Sequence, residues 1–119
     1  MPHLILSVSQ DLAEHKHGLL QAAHQAMLDS VLTTNQDIKS RALVCEDVIV
    51  GEHSAEAFVH VDVRLLRKPE RTNEAQKILA DAITAALNSA LPKQNMPVQL
   101  SCDMVLMNAE TYSKIRLEA

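Results

Sequence analysis

The chain has 119 residues, 47% hydrophobic and 22% charged, the composition of an ordinary globular domain and not of a disordered chain. Its 11 Lys and Arg against 15 Asp and Glu leave a formal charge of -4. That balance argues against a general nucleic-acid binder, which needs a dense basic face.

Residues 3–8 (HLILSV) read as a short strand. Leu4, Leu6 and Val8 share one face and Ile5 lies on the other, a pattern suited to burial on both faces. Asp11 and Glu14 have the spacing of a helix N-cap, but Gly18 delays the regular helix to about that point. Leu19, Leu20, Ala23, Met27 and Val31 then make an amphipathic stripe. Residues 33–37 (TTNQD) end it with loop chemistry. Residues 39–50 read as a second strand with an acidic interruption at Glu46-Asp47, and residues 51–54 (GEHS) as a turn.

Residues 57–65 give the cleanest alternation. Ala57, Val59, Val61, Val63 and Leu65 face one way; Phe58, His60, Asp62 and Arg64 face the other. A basic loop broken by Pro69 follows. Thr72 is the expected N-cap of a second helix reaching about Ala90, with Ile78, Leu79, Ala82, Ile83, Ala86 and Leu87 as its stripe. Pro92 and Pro97 bracket the exit. Residues 98–107 alternate again, and the segment from Asn108 has room for a short helix.

The order is strand, helix, strand, repeated once, so two βαβ units follow one another. We therefore expect one domain over residues 1–119, with halves at about 2–54 and 55–119. Two helices cover one sheet face within the chain. The polar row of the third strand marks the other face as a subunit interface or a site. Oligomerisation would also help a small domain that buries a modest fraction of its surface.

Cys45 and Cys102 form neither a disulfide framework nor a zinc pattern and read as free thiols in a reducing compartment. Cys45 has no helix N-terminus or base placed to activate it. No apolar run approaches the roughly 18 residues of a membrane span. The first residues lack the basic start of a signal peptide, so the expected location is cytoplasmic. His15 and His17 lack ligands from a second element, which disfavours a metal. His3 and His60 sit on strands, where structural hydrogen bonding is the simpler role. Arg64, Arg67, Lys68 and Arg71 form a basic patch, either a solvated loop or a guide for an anionic substrate.

Met1-Pro2 has two readings. Pro2 is simply a tolerated second residue, or removal of Met1 exposes a secondary amine at the start of a buried strand. An α-amino group titrates near ~8, and burial and nearby cations both lower that value. The neutral amine is then a general base near neutral pH.

Taken with Met1-Pro2-His3, three further anchors run along the chain: Ile38-Lys39-Ser40-Arg41, Ala57-Phe58-Val59-His60, and Arg71-Thr72 with Glu74. Together they resemble the 5-carboxymethyl-2-hydroxymuconate isomerase family of the tautomerase superfamily, over nearly the whole chain. The resemblance implies an α+β, tautomerase-like β-α-β-β-α-β protomer, with a four-stranded sheet and two helices on one face. It implies a homotrimer and a small anionic carboxylic acid as substrate, with no cofactor or metal. It implies Pro2 as general base and Arg41 and Arg71 as carboxylate-binding groups. Lys39 stands where the family has an arginine, keeping the charge and losing the bidentate fork. Phe58 and apolar neighbours would exclude water. The family's glycine-rich loop is replaced by Arg67-Lys68-Pro69-Glu70, which needs a two-residue insertion and bears on substrate fit. Three functions are therefore expected, in order: an isomerase of this type, a superfamily enzyme with another enol or keto acid, and a non-catalytic trimeric acid binder.

Overall fold

A computed structural model describes residues 2–33, 37–52 and 55–119. Met1, residues 34–36 of the expected loop, and residues 53–54 of the expected turn lie outside them. The elements are β1 (His3–Ser9), a 3-10 helix (Gln10–His15), α1 (Lys16–Leu28), β2 (Lys39–Cys45), β3 (Ala57–Leu66), α2 (Asn73–Ala90) and β4 (Val98–Met107). The sheet order is β2-β1-β3-β4. β1 and β2 are parallel around α1, and β3 and β4 are parallel around α2. An antiparallel β1–β3 pairing joins the two units.

Alternation builds the core. Leu4, Leu6 and Val8 of β1 and Ala57, Val59, Val61, Val63 and Leu65 of β3 are all fully buried. Leu19, Ala23 and Met27 of α1 and Leu79, Ile83 and Leu87 of α2 complete the same cluster. Both helices therefore lie on one face and pack against each other. On the opposite face, His3, Ile5 and Ser7 of β1 are half-exposed, so within one chain β1 is covered on one side only.

The first helix begins as the 3-10 turn and becomes regular at Lys16, with Gly18 in its first turn. It stops at Leu28, one turn before the expected stripe ends. The Thr33 hydroxyl donates to the Met27 carbonyl at 2.7 Å, and the Leu32 N–H donates to the Ser30 hydroxyl at 3.1 Å. This turn sends Leu32 into the core and leaves Val31 99% exposed. The stripe of α2 also divides: Leu79, Ile83 and Leu87 meet the sheet, whereas Ile78 is exposed. The Thr72 side chain accepts from the Ala75 N–H at 3.2 Å, which makes it the N-cap.

β2 is shorter than expected. Its last pair is Cys45 with Ser9, the final residue of β1. Beyond Ser9 no partner backbone continues, and Glu46-Asp47 leave the ladder. Gly51 follows at φ 56°, the left-handed conformation that favours glycine in a turn. The segment after β4 makes a turn over Asn108–Thr111, closed by the Thr111 N–H donating to the Asn108 carbonyl, and no helix follows.

Candidate active site

Pro2 is buried at the start of β1. It has no N–H, but its carbonyl accepts from the Lys39 N–H at 3.1 Å, which extends the β1–β2 ladder by one bond. That bond places Pro2 directly beside the first residue of β2.

The sheet register then gathers positive charge there. His3 of β1 is flanked by Lys39 of β2 and Arg64 of β3. The next position on the same face, Ile5, is flanked by Arg41 and Asp62. Lys39, Arg41 and Arg64 thus surround His3 on the face without helices. His3 reports their field: its proton affinity is lowered, by burial first, then by Arg41 and Lys39, with a smaller part from Arg64. His3 is held neutral near pH 7, and its Nε2 lies 3.1 Å from the Tyr112 hydroxyl. The rings meet edge to face at 6.3 Å.

The segment carrying Tyr112 crosses the end of the sheet. It leaves β4 at Met107, reaches β1 at His3, and continues to the residues just before β2, where Lys114 Nζ lies 3.3 Å from an Asp37 carboxylate oxygen.

Of the residues expected to serve a site, Pro2, Lys39 and Arg41 come together. Arg71 does not join them. Its side chain turns inward and is only 6% exposed. One terminal nitrogen donates to the Leu66 carbonyl and the other to the Leu32 carbonyl, so the guanidinium braces the loop before α2 against the loop after α1. The Gln76 side chain donates to the Arg71 carbonyl at 3.0 Å, fixing its backbone as well. Nε is buried without a partner.

Phe58 is also remote. Arg64, not Phe58, is opposite His3, and Phe58 lies six residues earlier on β3. At strand spacing that separation is roughly 20 Å. Phe58 is tied instead to the other end of β1, where its N–H donates to the Ser9 hydroxyl at 3.1 Å.

Two contributors escaped the sequence reading. Arg64 was visible as a polar residue of an alternating strand and as part of a basic patch with Arg67, Lys68 and Arg71, but not as the residue opposite His3. Tyr112 gave no signal, because its position depends on the path of the segment after β4. His60 follows its expected structural role, with Nδ1 2.7 Å from the Ser101 hydroxyl and Nε2 3.1 Å from an Asp62 carboxylate oxygen. Cys102 is not primed for nucleophilic chemistry: burial, then Asp103 and Asp62, push its thiol up to about 12. Among the described residues no cluster of three His, Cys, Asp or Glu side chains could hold a metal ion. Among them, no helix is long and apolar enough to cross a membrane.

The paired βαβ units, with helices on one face and a proline opening the first strand, define a tautomerase-like fold. The structure is similar to a 5-carboxymethyl-2-hydroxymuconate isomerase from Deinococcus radiodurans R1, with a TM-score of 0.84 at 22% identity over 98% of this chain and 90% of that one. It is similar to a 5-carboxymethyl-2-hydroxymuconate delta-isomerase, at 0.72 and 19% identity over 98% and 88% of the two chains. A fused 4-OT described as a wild type symmetric trimer matches at 0.65 and 22% identity, over 87% and 85%. No curated protein matches by sequence. Residues 2–117 match the sequence model of the family described as 5-carboxymethyl-2-hydroxymuconate isomerase. The chain belongs to that family.

Proposed function

We propose that this chain is a cofactor-independent isomerase that moves a proton within an unsaturated 2-hydroxy carboxylic acid. The 5-carboxymethyl-2-hydroxymuconate reaction is the nearest type. The observation that carries this reading is Pro2, buried at the sheet end beside Lys39, with Arg41 and Arg64 on the same end. Family membership supports the reaction class.

Removal of Met1 frees the Pro2 nitrogen as a secondary amine. The surrounding cations disfavour its protonated form, so a useful fraction is neutral near pH 7. The neutral amine takes the proton from the dienol or its carbon acid. Arg41 and Lys39 hold the substrate carboxylates and stabilise the negative charge that develops on the dienolate. The protonated amine then returns the proton at another carbon. One group thus serves as base and acid, and no redox step occurs. Arg71 contributes by bracing the loop before α2.

We read the assembly as a homotrimer. The helix-free face leaves apolar groups such as Leu43, 51% exposed, open to solvent in one chain. The fused 4-OT relative is described as a symmetric trimer. A second copy could also bring a Phe58 to the Pro2 end, which the same chain's Phe58 does not reach. A second reading keeps the fold and changes the acid: the bulky Arg67-Lys68-Pro69-Glu70 loop alters the rim before α2.

The test is ketonisation of a 2-hydroxymuconate-type dienol by protein whose intact mass lacks Met1, followed by loss of ultraviolet absorbance. Acceleration that falls with acid and disappears in Pro2→Ala supports the reading. Activity on other enol acids alone selects the second reading. Binding of such acids without turnover leaves a non-catalytic acid binder.

A further inference from the structure

The contact between His3 and Tyr112 is unused by the chemistry above, and it lies one residue from the nitrogen that performs it. Tyr112 comes from a segment that crosses the sheet end from β4 to β2, with Lys114 close to Asp37 beyond it. Its hydroxyl meets the imidazole at 3.1 Å and its ring packs edge-on against that imidazole. His3 Nδ1 is buried without a partner, so Nε2 carries the ring's hydrogen bonding. Without that bond the ring is free to turn, and the residue next to Pro2 loses an anchor on the helix-free face. Pro2 itself is anchored through its carbonyl, which accepts from the Lys39 N–H. The charged groups facing this point are Lys39 and Arg41 from β2, and Arg64 and Asp62 from β3.

We propose that Tyr112 is a positioning residue for the Pro2 site, holding His3, and through it the Pro2 nitrogen, in register with the Lys39, Arg41 and Arg64 cations. This rests on the reading of Pro2 as the general base. The phenol touches neither substrate nor base. It limits the motion and hydration of the first strand residues, and a less hydrated amine close to fixed cations is harder to protonate. The segment after β4 therefore tunes a group at the opposite end of the chain.

The experiment compares Tyr112→Phe with the parent protein, both shown by intact mass to lack Met1. The substitution keeps the ring and removes only the hydroxyl. The pH profile of kcat is measured, and the Pro2 amine is titrated directly by NMR on protein labelled with 15N-proline. The expected result is an amine pKa raised by about half a unit or more, with the acid limb of kcat moving the same way. At neutral pH kcat falls about three- to tenfold while KM changes little. His3→Ala should produce the same shift, and the double variant should add nothing to it. An unmoved amine titration in Tyr112→Phe overturns the proposal, whether kcat is unchanged or falls equally at every pH. Because the titration needs no substrate, a parent protein without turnover would sink the isomerase reading and still leave this coupling measurable.

Discussion

Arg71 Nη2 donates to the Leu32 carbonyl at 2.9 Å, joining two loops that are 39 residues apart in sequence. The same guanidinium also donates to Leu66, so one side chain closes the loop after α1 onto the loop before α2. A buried charge with two carbonyl partners is expensive to remove, because both acceptors are left unpaired.

Arg71→Ala should therefore act on stability first. We expect a loss of roughly 2–4 kcal/mol, read from urea unfolding. The kcat/KM per folded molecule should fall less than in Arg41→Ala. If stability is unchanged and KM rises tenfold or more, Arg71 contacts the substrate instead.

Arg41 and Lys39 stand on the same face of the sheet edge beside Pro2 and His3. Arg41→Ala should raise KM for a dicarboxylate dienol about ten- to hundredfold, as expected for losing a charge-assisted pair worth roughly 1.5–3 kcal/mol. Lys39→Arg restores the fork and should lower KM. An Arg41→Ala protein with unchanged kcat/KM would remove Arg41 from the carboxylate site.

His3 gives a pH dependence whose sign is determined. Its folded pKa lies below the usual value of 6.5. Between the two values the unfolded chain binds more protons, so stability rises with pH there. The contribution is complete above about 6.5 and is lost as pH falls through the lowered folded value. His3→Gln cannot titrate, so the acid-side decline in urea midpoint should be shallower in that variant. Parallel declines in the two proteins would contradict the depressed pKa.

Cys102 should resist alkylation. With its thiol pushed up to about 12, very little thiolate exists at pH 8. Mass spectrometry after iodoacetamide should show Cys102 modified at least about tenfold more slowly in the folded protein than in urea. Equal rates would contradict its burial.

Much of the architecture was legible because backbone periodicity is a local property. The period of two in residues 57–65 and 98–107 predicted β3 and β4 and the face that each buries. Leu79, Ile83 and Leu87 carried α2, and Thr72 marked its start. Pro2, Lys39 and Arg41 were legible as a set through the family resemblance. Lengths and ends were less so: β2 stops where β1 runs out of backbone, and Leu32 replaces Val31 in the core because a side-chain-capped turn rotates the chain. The direction of an arginine in a loop has no periodicity to reveal it, and Arg71 turned inward to satisfy carbonyls far away in sequence. Arg64 joined the cationic end through antiparallel register with His3, and Tyr112 through the path of a segment without regular structure. Local sequence set which residues alternate and which helices form. Long-range pairing decided which charges meet at Pro2, because register and side-chain direction are settled only when distant backbone groups find their partners.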